Sequence, residues 1–408
     1  MKIIADLHLH GKFSQGTSKN ADLQSIEKWA KIKGINLLGT GDFTHPKWIK
    51  EIKNNLTEDR TGILTSKTGQ KFMLTTEISF VYTQDGKGRR VHLIILAPNL
   101  AVVDQITEYF LSKGRIDYDG RPIFKIPCDQ LVEDMRKIST DIEVIPAHIW
   151  TPWFSMFGDK SGFDTIQDCF KDQTQHIHAI ETGMSSNPLD NRRLKQLDNI
   201  NLVSFSDSHS FWPWRLGREA TMFDCDMKYK EIIKSIRTGE KLTGTVEVDP
   251  GYGKYHFSGH RKCNVVTSPV ETKKLDEICP VCKKQLVIGV ADRVEELADR
   301  PVDYRPKDMK PFYTLIPLSE VISTYYNTTP ATKRVWEIYN NLIKNFGSEY
   351  EILLNTKPEE LAKHLDKKLV DAMMLNREGK IKVKPGYDGV YGVPQFDVKE
   401  KQKTLSDF

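Results

Sequence analysis

The stretch MKIIADLHLH (residues 1–10) combines a short apolar strand with a metal-ligand motif. Residues 3–6 are typical of a buried β-strand. His8 and His10 are two residues apart, so in extended backbone both imidazoles point to the same face. Two imidazoles on one face are ligands that Zn²⁺ and Mn²⁺ accept in proteins. The motif therefore predicts the beginning of a metal site at the end of the first strand.

Short apolar runs and helical patterns alternate along the first 245 residues. The predicted strands are residues 3–6, 36–40, 72–77, 91–96, 144–148, 178–182 and 202–206. Helical spacing of apolar residues falls between several of them, as in residues 188–199 and in residues 22–33, where Gly34 ends the pattern. This alternation favours an α/β barrel over a β-sandwich, and an open doubly wound sheet is the alternative fold.

Ligand-type side chains recur where these strands end. Because α/β barrels carry their active sites at the carboxyl ends of the strands, we expect these side chains to meet. The predicted metal ligands are His8, His10, Asp42, His45, Glu77, His92, His148, Asp207 and His209.

His92 differs from the others because it begins its strand. The preceding segment SFVYTQDGKGRRVH contains an Asp-Gly pair, which is typical of a β-hairpin turn. A hairpin would return the chain from the ligand end of the sheet. We therefore expect His92 to reach the same site as the other ligands.

Composition excludes several classes of protein. The 408 residues carry a formal net charge of +4, which is too small to indicate nucleic-acid binding by itself. The first ten residues do not resemble a signal peptide, and no apolar run approaches the roughly 18 residues of a membrane span. Six cysteines in a chain of this length are not a disulfide framework. We expect a cytoplasmic protein with no membrane partner.

These motifs, in this order, resemble the PHP superfamily (named for its polymerase and histidinol phosphatase members). The resemblance covers residues 1–245 and implies a distorted seven-unit β/α barrel that holds two or three divalent metals (Zn, Mn or Mg) and hydrolyses phosphoesters. The second motif departs from the usual Thr-Asp-His, since Gly41-Asp42-Phe43 is followed by His45. Either Asp42 or His45 is then the ligand.

The chemistry of such a site follows from its cations. Clustered divalent ions lower the pKa of a bound water, which delivers hydroxide at neutral pH, and they clamp the oxygens of a phosphate. The resemblance makes Glu77, Asp207 and His209 the expected catalytic residues. No serine nucleophile is needed.

A second metal signal follows the barrel. Cys263 is separated by fifteen residues from the CPVC turn formed by Cys279 and Cys282. This spacing is typical of a structural zinc site, which needs a fourth ligand. His260 or, alternatively, His256 would supply it. We expect one structural Zn that stabilises a small module.

The PHP motifs together with GKYHFSGHRKCN, CPVC and IGVADRVEELADRP resemble the endonuclease Q family. That family occurs in archaea and some bacteria. The resemblance implies hydrolysis of DNA on the 5′ side of deaminated bases (uracil, hypoxanthine, xanthine) or abasic sites. The partner would be double- or single-stranded DNA containing a damaged base.

Lesion recognition would require the damaged base to leave the stack, which aromatic and basic side chains near the predicted site would support. Two aromatic clusters follow ligand-bearing strand ends, and a basic pair flanks the zinc motif. The predicted DNA contacts are Trp150, Trp153, Phe154, Trp212, Trp214, Arg261 and Lys262.

The chain is thus expected to have three parts. They are a metal-dependent PHP barrel (residues 1–245), a small zinc-binding module (246–295) and a C-terminal helical domain with a turn-rich tail (296–408). The competing functions are a small-molecule phosphoesterase of the PHP superfamily and a non-catalytic nucleic-acid-binding PHP protein. The ligand set argues against the second, and the zinc module and helical end argue against the first.

Overall fold

A computed structural model describes residues 2–395 of the chain. The strands are β1 (Lys2–Asp6), β2 (Leu37–Gly39), β3 (Leu56–Glu58), β4 (Leu64–Ser66), β5 (Lys71–Gln84), β6 (Lys87–Ala97), β7 (Ile123–Phe124), β8 (Glu143–Pro146), β9 (Ala179–Glu181), β10 (Asn201–Val203), β11 (Ala220–Asp224), β12 (Leu242–Glu247), β13 (Ser258–His260), β14 (Val265–Thr267), β15 (Phe312–Thr314), β16 (Lys382–Lys384) and β17 (Val393–Gln395). Each strand expected from the sequence is present, and the mixed α/β class is confirmed.

The helices alternate with the strands along the chain, and several of them follow β15. They are α1 (Leu23–Lys33), α2 (Pro46–Asn55), α3 (Leu100–Lys113), α4 (Cys128–Ile138), α5 (Ile166–Phe170), α6 (Pro188–Arg192), α7 (Tyr229–Thr238), α8 (Pro269–Lys274), α9 (Val290–Leu297), α10 (Leu318–Tyr325), α11 (Lys333–Phe346), α12 (Pro358–Leu361) and α13 (Lys367–Arg377). Within residues 2–395 every helix is too short or too polar to cross a bilayer.

Local sequence signals explain where α1 begins and ends. The Asp22 side chain accepts a hydrogen bond from the Ser25 amide at 2.9 Å, which caps the first turn. Gly34 ends the helix with φ +95°, a left-handed conformation that glycine adopts without steric cost. Leu23, Ile26 and Ala30 lie on the buried face, as the spacing predicts.

The central sheet brings several strand ends to one side of the molecule. β1 pairs in parallel with β2, and β2 in parallel with β5. β6 pairs antiparallel with both β5 and β8, so the β5–β6 hairpin interrupts the parallel order. β9 and β10 pair in parallel. The amide of His10 donates to the Ser208 carbonyl at 2.9 Å, and that of Ile149 to the Glu181 carbonyl at 3.2 Å. The seven-unit barrel itself stays a prediction.

The β5–β6 hairpin has the turn that the Asp85-Gly86 pair predicts. Asp85 and Gly86 both have positive φ, +52° and +73°, as a two-residue type I′ turn requires. Glu77 lies opposite Ile94, and Ser79 lies opposite His92. Because alternate residues share a face, Glu77 and His92 are diagonal neighbours on one face of the hairpin.

Residues after β12 leave the sheet and return to it. The excursion contains the β13–β14 hairpin and helices α8 and α9, and β15 then pairs in parallel with β12. One connected group of buried apolar side chains runs from Leu9 to Ile381 and includes Val290 and Leu342. The core is therefore continuous across the predicted boundaries at 245/246 and 295/296, and the three-domain division stays a prediction. The end of the predicted tail, residues 396–408, lies outside the described residues.

Candidate metal centre and nucleic-acid interface

Four ligand-type side chains converge where β1, β5 and the segment after β10 meet. One ligand atom from each of His8, His10, Glu77 and Asp207 lies within 4.8 Å of the others. His10 Nε2 is 3.1 Å from Glu77 Oε2 and 3.2 Å from Asp207 Oδ1. Two imidazole nitrogens and two carboxylate oxygens at such distances are suited to a divalent cation.

A second group of ligands lies on the other side of Glu77. His92 Nδ1 is 2.7 Å and His148 Nε2 is 3.0 Å from Glu77 Oε1. The two oxygens of this carboxylate thus face different histidine pairs, with Oε2 toward His8 and His10. This geometry is that of a carboxylate that could bridge two cations.

Three of these atoms lack hydrogen-bond partners among residues 2–395. They are His8 Nε2, His10 Nε2 and Asp207 Oδ1, and all three are buried. A buried polar atom without a partner costs about 1–3 kcal/mol, so a protein rarely retains several at one point. A bound cation would satisfy all three, and the residues therefore fit a metal centre.

The Nδ1 atoms of the first histidine pair are held by carboxylates. Glu181 Oε1 is 2.9 Å from His8 Nδ1, and Asp42 Oδ1 is 2.9 Å from His10 Nδ1. Such contacts fix the ring orientation and leave Nε2 for the metal. Asp42 also accepts hydrogen bonds from the Gly11 amide and the Ser14 hydroxyl.

The structure thus places Asp42 behind His10 instead of among the clustered ligands. The other residue considered for the second motif, His45, is also outside the cluster. Its ring stacks on Phe13 at 4.7 Å between centroids, and burial lowers its pKa. The sequence could not separate these roles, because both residues follow β2 and only the path of the loop decides which atoms they reach.

His209 lies beside the cluster. Its Nδ1 donates to the Asp207 carbonyl oxygen at 3.0 Å, so the ring carries its proton there and Nε2 is left with a lone pair. The His209 and His10 ring centroids are 4.5 Å apart. Burial lowers the pKa of His209, which favours the neutral form.

Three residues of this region have left-handed backbone conformations. Asp42, His148 and Asp207 have φ of +49°, +28° and +44°. Each such conformation costs on the order of 1–3 kcal/mol for a residue with a side chain. The surrounding hydrogen bonds hold these residues in place, which is typical of functional sites.

Opposite charges in the cluster determine its protonation. Burial alone would raise the pKa of Glu77, but electrostatic interactions with His92 and Arg121 outweigh it and hold that pKa well below its usual range. Burial would lower the pKa of His8, but Glu181 and Glu77 raise it well above the ordinary value. Glu77 is therefore ionised at neutral pH, as a metal ligand must be.

A cavity of about 690 Å³ opens from the cluster. Its lining includes His92, Arg121, His148, Thr151, Pro152, Trp153, Phe154, Met184, Asp207, His209, Trp214, Arg215, Arg218, Pro250, Lys254, Tyr255, His256 and Tyr391. Asp207, His92 and His148 line the cavity from the metal-ligand groups, and Pro250, residues 253–256 and Tyr391 line it from later in the chain. The cavity volume is within the range that binds small organic groups such as a nucleobase.

The predicted DNA-contacting aromatic residues divide into two groups. Trp153 and Phe154 line the cavity, and the Phe154 ring lies 4.8 Å from that of His92. Trp150 is only 1% exposed, and its indole N–H donates to Asn191 Oδ1 at 2.9 Å. We therefore withdraw Trp150 from the predicted DNA contacts, because its ring is part of the core.

Trp212 and Trp214 belong to a cluster of four tryptophans. Their rings stack at 5.1 Å with an interplanar angle of 4°. Trp29 of α1 and Trp336 of α11 pack against Trp212 at 5.5 and 5.8 Å. Trp214 also lines the cavity, whereas Trp212 faces outward with 36% of its surface exposed. The cluster joins the cavity rim to the C-terminal helices.

Three polar residues of the site were not predicted from the sequence. Glu181 ends β9, where a strand-end acid was a usable signal, but it belongs to no recognisable motif. Arg121 and Arg218 line the cavity from loops. Both Nε and Nη2 of Arg218 donate to the Ser206 carbonyl, at 3.1 and 3.0 Å. No pattern in the sequence marks these arginines, because only the folded chain brings their loops to the site.

The predicted zinc ligands also come together. Ligand atoms of His260, Cys263, Cys279 and Cys282 lie within 4.8 Å of one another, and Cys282 Sγ is 3.2 Å from His260 Nδ1. Hydrogen bonds from the Cys282 and Val281 amides lower the pKa of Cys279 to about 6, which favours the thiolate that binds metal.

His256, the alternative fourth ligand, is not part of this group. It stacks on Phe257 at 5.0 Å and lines the cavity. Arg261 and Lys262 lie beside the cysteine cluster with exposed side chains.

Comparisons with known proteins add three sequence relationships. The profile of the MJ0043 C-terminal domain family matches residues 317–380. The chain is 34% identical over 253 residues to the uncharacterized protein MJ0043 of Methanocaldococcus jannaschii, which covers 60% of this chain and 31% of that protein. The chain therefore spans about a third of that relative. It is 27% identical over 414 residues to the uncharacterized protein YqxK of Bacillus subtilis, covering 96% and 98% of the two chains.

Two solved structures resemble the entire fold. One is a lesion-specific endonuclease, PfuEndoQ, from Pyrococcus furiosus, with a TM-score of 0.87, 30% identity, and coverage of 100% of this chain and 99% of that chain. The other is an endonuclease Q in complex with a 27-mer duplex substrate that has an abasic lesion at the active site. Its TM-score is also 0.87 and its identity 30%, and the match covers 100% of both chains.

Proposed function

Because the chain belongs to the endonuclease Q family of DNA-cleaving hydrolases, we propose that it is a DNA repair enzyme that hydrolyses the phosphodiester on the 5′ side of a damaged base. The substrates would be deaminated bases (uracil, hypoxanthine, xanthine) and abasic sites in DNA. The observation that carries the proposal is the convergence of His8, His10, Glu77 and Asp207 beside a cavity large enough for a nucleobase, which Asp207 lines.

The chain's own residues would hold the cations in two adjacent positions. His8, His10 and Asp207 would bind one, His92 and His148 the other, and Glu77 both. Divalent cations held there (Zn, Mn or Mg) supply acidification of water and neutralisation of phosphate charge. The superfamily resemblance implies two or three metals, and these positions would hold two of them.

Proton transfer would fall to His209. Its Nδ1 is occupied by the Asp207 carbonyl, so Nε2 is the atom that accepts a proton. Because burial lowers the pKa of this ring, it is neutral at neutral pH and can act as a base. Asp207 would contribute both a metal ligand through Oδ1 and the carbonyl that orients His209.

Damaged DNA would lie across the cavity opening. Trp153, Phe154 and Trp214 offer aromatic surface at the rim for an extruded base or an abasic gap. Arg261 and Lys262 would contact phosphates from the zinc module. The opening is shared by the predicted barrel (residues 1–245), the module (246–295) and the C-terminal part (296–408), so the DNA would contact all three.

The four-residue His-Cys cluster would hold a structural zinc. His260, Cys263, Cys279 and Cys282 form a closed set of four ligands, which leaves no position for a substrate. Its role would be to fix the module that carries residues 250–256 of the cavity wall.

The test is nicking of labelled duplexes that carry one deoxyuridine, deoxyinosine or abasic site, in Mg²⁺ or Mn²⁺. We expect a single nick on the 5′ side of the lesion and none in undamaged duplex. Asp207→Asn should lower the rate at least about 100-fold, since it removes a metal ligand. Asp226→Asn, which changes an exposed aspartate, is the matched control.

Two outcomes would contradict the proposal. Hydrolysis of a generic phosphomonoester without any DNA nicking would indicate the small-molecule phosphoesterase. Binding of lesion DNA without cleavage in either metal would indicate a non-catalytic DNA-binding protein.

A further inference from the structure

Arg121 stands at the edge of the metal cluster without a role in the proposed ligand set. Its Nη1 donates to Glu77 Oε2 at 3.0 Å, and its side chain is 22% exposed. It lines the cavity together with His92, Asp207 and His209. This is the one side-chain hydrogen bond of Arg121 within residues 2–395, so four of its five N–H donors have no protein acceptor there.

The loop that carries Arg121 is held rigidly on both sides. Asp119 Oδ1 accepts from the Arg121 amide at 3.1 Å and from the Gln15 amide at 3.2 Å. The Pro122 carbonyl accepts from the Ser79 amide at 3.1 Å, beside the pairing of β7 with β5. These hydrogen bonds therefore fix the backbone that carries the Arg121 guanidinium.

Gly120 permits this approach. Its amide donates to the Phe13 carbonyl at 3.2 Å, and a Cβ at this position would overlap the Ser14 hydroxyl and the Asp42 carboxylate. The backbone before Arg121 thus packs directly on the groups that orient His10. The loop and the cluster form one rigid unit.

We propose that Arg121 is a catalytic residue that binds the non-bridging oxygens of the scissile phosphate. This proposal rests on the proposed function. The unpaired N–H donors of the planar Arg121 guanidinium would stabilise the negative charge that the phosphate gains in the transition state. Glu77 and the phosphate would then share Arg121, which places the phosphate next to the bridging carboxylate. A preorganised donor of this kind contributes without reorganisation during the reaction.

A structural role alone would give a different result. If Arg121 only compensated the charge of Glu77, its loss would change the affinity for metal and the stability. If it binds phosphate, its loss changes the reaction rate and phosphate affinity while the metal content stays the same. The experiment must therefore measure all of these quantities.

The experiment compares Arg121→Ala and Arg121→Lys with the wild type and with Arg115→Ala. Arg115 is an exposed arginine that precedes the same loop and pairs with Asp117, so it serves as the matched control. We expect Arg121→Ala to lower the single-turnover rate of nicking about 100- to 1,000-fold, the loss typical of a removed transition-state donor. Arg121→Lys should recover part of the rate, because it keeps the charge but lacks the planar fork.

Metal content, measured on the dialysed proteins, should be equal in all four. Inorganic phosphate, measured by calorimetry on the metal-loaded proteins, should bind about tenfold more weakly to Arg121→Ala than to Arg115→Ala. If Arg121→Ala fails to fold, Arg121→Lys carries the same comparison.

Two results would overturn the inference. The first is that Arg121→Ala has the same nicking rate and the same phosphate affinity as the wild type. The second is that Arg121→Ala loses metal ions and this loss accounts for its lower rate. If the wild type nicks no lesion duplex, the proposed function fails separately. The phosphate titration then decides on Arg121 alone, and equal affinities reject the inference.

Discussion

At the residue scale, the histidines of the first pair depend on carboxylates that do not belong to the metal cluster. Glu181 binds Nδ1 of His8, and Asp42 binds Nδ1 of His10. Glu181 also accepts a hydrogen bond from the His148 amide at 2.7 Å, so one carboxylate orients parts of both histidine groups. The affinity of the site therefore depends on residues one contact away from any cation.

Glu181→Gln tests this dependence. Glutamine keeps the size of the side chain but loses the charge that holds the His8 ring, so we expect metal affinity to fall about 10- to 100-fold. Nicking activity should return at higher metal concentration. The measurement is activity and bound metal against free metal concentration.

Glu240→Gln, at a 64% exposed position, is the control for this variant. Equal metal affinity in Glu181→Gln and the wild type would show that Glu181 does not support the site.

The ligand-type side chains that meet around Glu77 were predicted from the sequence, and the reason is physical. His8, His10, His148 and Asp207 follow the ends of short strands, and Glu77 lies within the long strand β5, so the pairing of these strands brings the residues together. Asp42 was predicted as one of two alternatives for a ligand, but the turn with positive φ at this residue directs its carboxylate to the far side of His10. The path of a loop depends on packing that no local pattern records.

At the element scale, the β5–β6 hairpin and the cysteine module each add a part that a simple strand-helix repeat lacks. The hairpin turns the chain back so that His92 reaches Glu77 at 2.7 Å. In the module, Cys279 and Cys282 occupy a tight turn, in which the Cys279 amide donates to the Lys284 carbonyl at 2.8 Å. Both elements were predictable because their turns have strong local signals.

Helix α6 was less predictable. The sequence pattern over residues 188–199 indicates one helix, whereas α6 ends at Arg192 and a separate 3-10 turn spans Lys195–Leu197. Tertiary contacts explain the break, since the Arg192 side chain donates to the Ile200 carbonyl and the Lys195 amide to Asp299.

The module should lose its metal when one thiol is removed. We expect Cys279→Ala to contain one zinc fewer per chain than the wild type and to melt at a lower temperature, because zinc binding contributes to folding. The metals of the other cluster should remain. Zinc per chain and the melting temperature are measured on dialysed protein.

Cys225→Ala removes a thiol outside the cluster and is the control. Zinc content that is the same in Cys279→Ala as in the wild type would reject the structural zinc site.

At the scale of the whole molecule, a buried ion pair joins the two ends of the chain. Lys33 Nζ of α1 is 2.6 Å from Glu349 Oε1, and both side chains are at most 1% exposed. Lys33 also donates to the Pro213 carbonyl at 2.7 Å, and Glu349 accepts from the Tyr339 hydroxyl at 2.8 Å. The pair thus connects α1, the tryptophan-bearing loop and the C-terminal helices.

Removing one charge of this pair should be costly. We expect Lys33→Met to lower the free energy of unfolding by about 3–5 kcal/mol, since it leaves a buried carboxylate without its partner. The double variant with Glu349→Leu should lose less than the sum of the single variants. Denaturant unfolding measures both quantities.

Lys31→Met, two residues away on the same helix, is the matched control. Its pair with Glu27 is partly exposed, so a loss within about 1 kcal/mol is expected. Additive losses in the Lys33 and Glu349 variants would contradict a coupled pair.

The order of the cavity walls along the chain has a consequence for how such enzymes can diversify. The carboxylates and imidazoles of the two groups around Glu77 lie between His8 and Asp207, whereas Pro250, residues 253–256 and Tyr391 line the cavity from later in the chain. Substitutions in this later stretch can therefore change the size and polarity of the cavity without altering any residue of the two groups around Glu77. Part of the cavity lining can thus evolve while the metal-ligand groups are preserved.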